Sequence, residues 1–263
     1  MDDTINIDQL LQETMVRRGQ WLAETVSTNS DALSLAGDCS LELPYLIGAD
    51  RQTGGRGRGK NAWWSSAGAL TFSLILEPDQ FAIQQQQWPR ISLATGVAVG
   101  ECLAAVVESS AVQLKWPNDV FLQGRKVAGI LVETSSNAPG RFVIGIGINV
   151  NNSVDEAPEE VQRLMASLRS TAGHPFDRMG ILSRLLIHLE RELILLGEAA
   201  SEQLDRFRER CLLTHEFVTV TNPNEEVSGL CLGIDDDGAL RLQTEYGPTT
   251  CRSGTVRRCE GEP

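Results

Sequence analysis

The chain has 263 residues, 41% of them hydrophobic and 22% charged, with a net charge of -12. Mean hydropathy is -0.14, and no stretch approaches eighteen consecutive apolar residues, which excludes a transmembrane helix. The acidic balance argues against general nucleic-acid binding, because the phosphate backbone would meet like charge over most of the surface.

The length fits one large domain, or one domain plus a small module. The N-terminal "MDDTINIDQLLQETMVRRGQ" is acidic and amphipathic, without the basic and apolar regions of a signal peptide. Cysteines at 39, 102, 211, 231, 251 and 259 form no C-x-x-C pair and no Cys/His group. Neither a zinc site nor a disulfide framework is expected, and the cytoplasm is the expected compartment.

Residues 7–18 read as an amphipathic helix, with Ile7, Leu10, Leu11 and Met15 on one face. "WLAETV" (21–26) is strand-like, and "STNSDAL" (27–33) reads as a capped helix start. "YLIGAD" (45–50) is a strand that feeds "RQTGGRGRGKNAWW" (51–64), and "ALTFSLIL" (69–76) is the strand that leaves it. A long helix is expected over 89–108. Strands are expected at 112–115, 119–122, 126–133 and 142–150, paired as hairpins, and helices over 158–170, 178–197 and 201–211. From 215 to 259 only strand-sized runs appear: "FVTV", "VSGLCLGI", "ALRLQT" and "TVRRC". A catalytic domain of 1–212 and a small β-barrel-like module of 213–263 are therefore expected.

Five segments carry candidate chemistry. In the loop, Gly54, Gly55, Gly57 and Gly59 let backbone N–H groups approach a ligand, and Arg56, Arg58 and Lys60 supply charge for phosphate or carboxylate. Four cations against Asp50 give residues 48–64 a net +3 on an acidic body, the signature of a small anionic ligand. A surface loop or an RGG-like RNA tract is the rival reading; the flanking core strands and the terminal Trp63 and Trp64 disfavour both. No Walker or dinucleotide fingerprint is present. "KWPNDVF" (115–121) places Lys115 at a strand end, with Asn118 and Asp119 close behind, although P-N-D is also an ordinary turn. "GRKVAGILVE" (124–133) opens on Lys126 and is interrupted by Gly129, a sign of a bulge, a barrel bend or a close ligand. "GIGINVNN" (145–152) puts Gly145, Gly147 and Asn149 on one face. "STN" (27–29) precedes a helix, where caps are the common reading. His174, His188 and His215 have no partners at metal or triad spacing, so hydrolase chemistry is not expected.

Taken in order, "STN", "RQTGGRGRGKNAWWSS", "KWPNDVFLQGRKVAGILVE" and "GIGINVNN" resemble biotin–protein ligases, also called holocarboxylase synthetases, over about residues 20–152 and more loosely beyond. The resemblance implies an α+β fold: a central mixed β-sheet backed by helices, akin to class II aminoacyl-tRNA synthetases, followed by a small SH3-like β-barrel. It implies ATP and biotin as substrates, Mg2+, and a biotin carboxyl carrier domain as partner, in a monomer or homodimer. Lys115 matches the family's catalytic lysine. Ser27, Thr28, Asn29, Gln52, Gly55, Arg56, Gly57, Arg58, Lys126 and Gly129 match biotin-binding positions. Arg58, Lys60, Trp63, Lys115, Asn118, Asp119 and Asn149 match ATP-binding ones, with Asp119 the position for Mg2+. Some relatives carry a second Arg-Gly-Arg where this chain reads Gly59-Lys60-Asn61. Some also carry an N-terminal winged helix-turn-helix, for which the twenty residues ahead of the domain are too few, so no operator binding is expected. Lipoate–protein ligase, which shares fold and adenylation chemistry, lacks this pairing of glycine loop and lysine motifs.

Overall fold

Alternation along the central strands explains the layering. The structure, a computed structural model, describes residues 4–135 and 137–258. Seven strands form one mixed sheet: β1 (Arg18–Thr25), β2 (Tyr45–Gln52), β3 (Leu70–Leu76), β4 (Val112–Lys115), β5 (Asp119–Leu122), β6 (Arg125–Ser135) and β7 (Ala138–Ile148). Their order is β1-β2-β3-β7-β6-β5-β4, with β1 and β2 parallel and the other pairs antiparallel.

Even-numbered side chains of the central strands, such as Phe72, Leu74, Ile144, Ile146 and Ile130, enter the main core. They face α3 (Ile91–Ala104), which is buried along nearly its whole length and lies beneath α6 (Arg178–Glu198) and α7 (Ala200–Glu209). Odd-numbered side chains take the other face. There α2 (Thr28–Leu35) covers Ile47, Ile75 and Val143 with Ala32 and Ala36. Farther along this odd face the side chains shrink and turn polar. Ser73, Gly145 and Leu131 form one register row, and Thr71, Gly147 and Gly129 the next. The sheet thus has one closed apolar face and one face that opens into a hollow.

The remaining helices are short: α1 (Ile7–Glu13), α4 (Glu159–Gln162) and α5 (Leu168–Ala172). The helix expected over 7–18 ends at Glu13, where Thr14 Oγ1 donates to the Leu10 carbonyl at 2.7 Å and Arg17 N–H turns to the Pro44 carbonyl. That expected over 158–170 is split, because Lys126 N–H donates to the Leu164 carbonyl and Ala166 N–H to the Lys126 carbonyl. Backbone pairing with β6 outcompetes the helical hydrogen bonds there. The helix expected over 89–108 is shorter, since Pro89 lies in a 3-10 turn before α3.

The C-terminal sheet is antiparallel. Its strands are β8 (Phe217–Thr221), β9 (Glu226–Ile234), β10 (Leu240–Thr244), β11 (Gly247–Cys251) and β12 (Thr255–Arg258), in the order β11-β10-β9-β8-β12. No pairing among the described residues joins β11 to β12, so the sheet is not closed into a barrel by hydrogen bonds. Its inner residues Val218, Val220, Leu240, Leu242 and Val256 belong to the same buried cluster as the α3 face. The sixth cysteine, Cys259, lies outside the described residues; the other five are free. Among the described residues no helix is long and apolar enough to cross a membrane.

Candidate active site

The hollow on the odd face is walled by the N-terminus of α2, the end of β2, the glycine loop, the β4–β5 turn, β6, β7 and residues 254–256 of the C-terminal sheet. Ser27, Thr28, Asn29, Gln52, Arg56, Gly57, Arg58, Trp63, Lys115, Asn118, Asp119, Lys126 and Gly129 all line it. Elements far apart in sequence deliver them, from the start of α2, the end of β2, odd-face strand positions and the loops at that end of the sheet.

Lys126 is the informative exception, since its number is even. Between Val120 and Phe121 the β5–β6 register shifts, with Val120 opposite Ala128 and Phe121 opposite Lys126. This bulge inserts Val127 and re-aims the preceding side chain. Lys126 Nζ thereby lies 2.6 Å from Asp119 Oδ1 and 5.9 Å from the Trp63 ring centroid. Lys115 pairs across the sheet with Asp119 and reaches 5.5 Å from the Phe121 ring centroid. Burial pushes the Lys115 ammonium below the usual lysine value. Asp119 opposes that shift, and the charges of Lys126 and Arg258 add to it. Burial likewise lowers Arg58, again against Asp119.

The glycine loop is a tight hairpin in this structure. Arg56 bridges Ala62, Gly57 N–H donates to the Asn61 carbonyl at 2.7 Å, and Trp63 N–H to the Gly55 carbonyl at 2.9 Å. Gly59 sits at the tip with φ +67, open to solvent. Arg58 Nη1 donates to the Gly254 carbonyl at 2.7 Å and so ties the hairpin to the C-terminal sheet. Trp63 lies against Gly147 and Gly129, where a Cβ on Gly147 would overlap its ring. Its Nε1 is buried with no hydrogen-bond partner among the described residues.

Several of the side chains expected to meet a ligand also make hydrogen bonds within the protein. The Arg56 fork grips Glu133 at 3.1 and 2.6 Å, and Asn29 Nδ2 donates to the same carboxylate at 2.9 Å. Asn29 Oδ1 accepts from Ser73 Oγ at 2.6 Å, and Gln52 Oε1 accepts from Thr28 N–H at 2.8 Å. Asn118 Nδ2 donates to the Ile130 carbonyl at 2.8 Å and pins the turn to β6. These side chains shape the wall first. Ser27 occupies the N-cap position of α2 yet makes no capping hydrogen bond with its side chain.

Three residues expected at the site do not line the hollow. Lys60 is exposed at the hairpin tip, and Gly55 is packed beneath Trp63. Asn149, the residue after β7, is buried, and its Oδ1 accepts from Asn152 Nδ2 at 3.0 Å. Glu133, Ser73 and Gly254 are the participants that sequence reasoning missed. A carboxylate ending the apolar run "GILVE" was a visible signal for Glu133; nothing local marks Gly254.

Asp119 is the one carboxylate among the lining residues, and no group of three or more metal-ligating side chains occurs among the described residues. That donor set fits Mg2+, which is commonly held by one or two carboxylates together with substrate phosphates.

A cation-rich, glycine-walled hollow at the end of a mixed sheet is a site for a small anionic ligand. Comparison with known proteins narrows the class. Residues 25–151 match the Biotin/lipoate A/B protein ligase family, and residues 216–256 match the Biotin protein ligase C terminal domain. A biotin–acetyl-CoA-carboxylase ligase of Mycobacterium tuberculosis is 36% identical, over 89% of this chain and 86% of that protein. A bifunctional ligase/repressor BirA of Bacillus spizizenii is 34% identical, over 84% of this chain and 68% of its own length. A biotin protein ligase from Aquifex aeolicus, solved with biotin and ATP, superposes with a TM-score of 0.80 at 31% identity, covering 92% of this chain and 100% of that one. The chain belongs to the biotin protein ligase family.

Proposed function

We propose that this protein activates biotin and transfers it to a carrier protein. A biotin carboxylate oxygen attacks the α-phosphorus of ATP, the bond to pyrophosphate breaks, and biotinyl-5′-AMP forms. The amine of a carrier lysine then attacks the acyl carbon. The bond to AMP breaks, AMP leaves, and the amine proton passes to solvent. The observation that carries the reading is the convergence of Lys115, Lys126 and Arg58 on one hollow that contains a single lining carboxylate. The names of the relatives, and one relative solved with biotin and ATP, support it.

Attack of one anion on another is slow unless positive charge is already in place where charge develops. Lys115 stabilises the reacting phosphate. Lys126 and Arg58 face the biotin carboxylate, and Ser27, Thr28 and Gln52 meet the polar ureido end. The partly buried face of Trp63 borders the adenine. Arg56 acts through Glu133 in this reading, holding the hairpin over the ligand. Asp119 would hold Mg2+, which neutralises triphosphate charge when bound. A hairpin closed over an acyl-adenylate keeps water from hydrolysing it. Residues 1–212 form the catalytic unit and 213–263 the C-terminal one, a division supported by the two separate sheets. The carrier is a biotin carboxyl carrier domain of a biotin-dependent carboxylase.

Transfer of labelled biotin from biotin, ATP and Mg2+ to a carrier domain tests the reading. Lipoate is expected to fail as a substitute, and Lys115→Ala is expected to lose transfer. Unimpaired transfer by that variant would remove Lys115 from its assigned role.

A further inference from the structure

Trp116 stands next to Lys115, borders the same hollow and packs into the main buried cluster. It is 2% exposed, and its Nε1 donates to the Gly238 carbonyl at 2.9 Å. Gly238 lies in the turn between β9 and β10, far from the ligand-facing strands in sequence. That turn is braced internally. Asp235 Oδ1 accepts from the N–H groups of Asp237 and Ala239 at 2.9 Å each, and Gly238 N–H returns to the Asp235 carbonyl at 3.0 Å. Gly238 adopts φ +79, and a Cβ there would come within 2.8 Å of Leu93 Cδ1. The carbonyl that receives the indole is therefore held in place by its own turn and by α3.

The other side of Lys115 is tied to the same end of the chain. Leu114 N–H donates to the Arg210 carbonyl, and Leu212 N–H to the Leu114 carbonyl, both at 2.8 Å. The segment leading into the C-terminal sheet thus extends the sheet edge beside β4. Ser92 Oγ donates to the Pro117 carbonyl at 3.1 Å, and Asn118 shares two hydrogen bonds with Ile130. Both neighbours of Lys115 are fixed by the C-terminal part of the chain, while the lysine itself is left to point into the hollow.

We infer that Trp116 is a positioning residue for adenylate formation, and that the Asp235–Ala239 turn, through the Trp116 indole N–H to Gly238 carbonyl bond, sets the height of the Lys115 ammonium in the site. The inference rests on the ligase reading. It gives the C-terminal sheet a defined task in the first half-reaction, separate from docking a carrier. Displacing a catalytic group by about 1 Å can cost on the order of a hundredfold in rate, so a single buried hydrogen bond to the neighbouring residue is enough to matter.

The test uses the full chain and biotin-dependent exchange of pyrophosphate with ATP. Trp116→Phe keeps an aromatic side chain but removes the indole N–H together with the pyrrole ring. Asp235→Ala loosens the turn from outside the hollow. Each is expected to lower kcat about tenfold while the KM for biotin stays within about twofold. The double variant is expected to be little worse than Trp116→Phe alone, because both act through one bond. Wild-type kcat in Trp116→Phe would overturn the inference, as would parallel loss of kcat and biotin affinity, which marks general loosening. Should Trp116→Phe fail to fold, Asp235→Ala decides alone by the same two criteria. Wild-type protein without any biotin-dependent exchange would instead sink the ligase reading itself.

Discussion

Gly145 and Gly147 show how much of the site depends on single missing atoms. A Cβ on Gly145 would overlap Asn29 Oδ1, and one on Gly147 would overlap the Trp63 ring. Asn29 cannot yield freely, since it is held by Ser73, Leu131 and Glu133. Gly145→Ala is expected to raise the KM for biotin and to cost about 1–3 kcal/mol of stability by overpacking; steady-state kinetics and thermal melts read the two effects separately. Lys115 gives a second prediction. Lys115→Ala is expected to lower the adenylation rate about 10²–10³-fold, the range seen when one electrostatic stabiliser is removed. Burial pulls the ammonium below the usual lysine value, so its charge is lost on the alkaline side earlier than for an exposed lysine. The alkaline limb of the pyrophosphate-exchange profile should therefore lie at lower pH than an exposed lysine would give. In Lys115→Arg that alkaline limb should disappear, and its persistence would assign the limb to another group.

The helical layer behind the sheet carries its own titration. Glu192 of α6 is fully buried, 3.0 Å from Arg206 Nε of α7. Burial raises its carboxyl above the ordinary range, with the Arg206 and Arg191 charges opposing. Below the ordinary glutamate value both folded and unfolded chains are protonated there, and the contribution to stability is constant. As the pH rises the unfolded chain ionises first. Stability then declines until the pH passes the raised native value. Glu192→Gln should remove that decline from a series of thermal melts, and an identical pH dependence in both proteins would contradict the assignment. Packing of the same helix is tight elsewhere. A Cβ on Gly197 would strike the Phe81 carbonyl, and Gly197→Ala is expected to destabilise by about 1–3 kcal/mol, measured by denaturant unfolding.

Two sheets share one buried cluster, and the glycine hairpin is tied to the C-terminal one through Arg58 and Gly254. Hairpin closure and the position of the C-terminal sheet should therefore change together. Limited proteolysis is expected to cut within 52–62 in free protein and to be suppressed by biotin with ATP. Equal cleavage in both states would rule out a closing hairpin. The acidic surface adds an expectation about partners. With a net charge of -12, a gel shift at physiological salt should detect no specific DNA complex.

Most elements were legible because their residues alternate or repeat at helical spacing. "ALTFSLIL" and "GILVE" could be little other than strands, and the order of the glycine loop, K-W-P-N-D, R-K-V-A-G and G-I-G-I-N was enough to point to the family. β11 was not legible, since "GPTTC" exposes most of its residues and so carries no alternation. The site was legible as a set of residue types, because anionic chemistry calls for lysine, arginine and close backbone wherever the fold puts them. Their allocation was not. Whether Arg56 meets a ligand or Glu133, whether Lys126 faces the hollow, and whether Asn149 reaches it depend on register, a one-residue bulge and side-chain parity. Those are properties of paired strands, and a single strand's sequence does not encode its partner's offset. The bond from Trp116 to Gly238 spans 122 positions, and only packing of the second sheet against the first could bring it about.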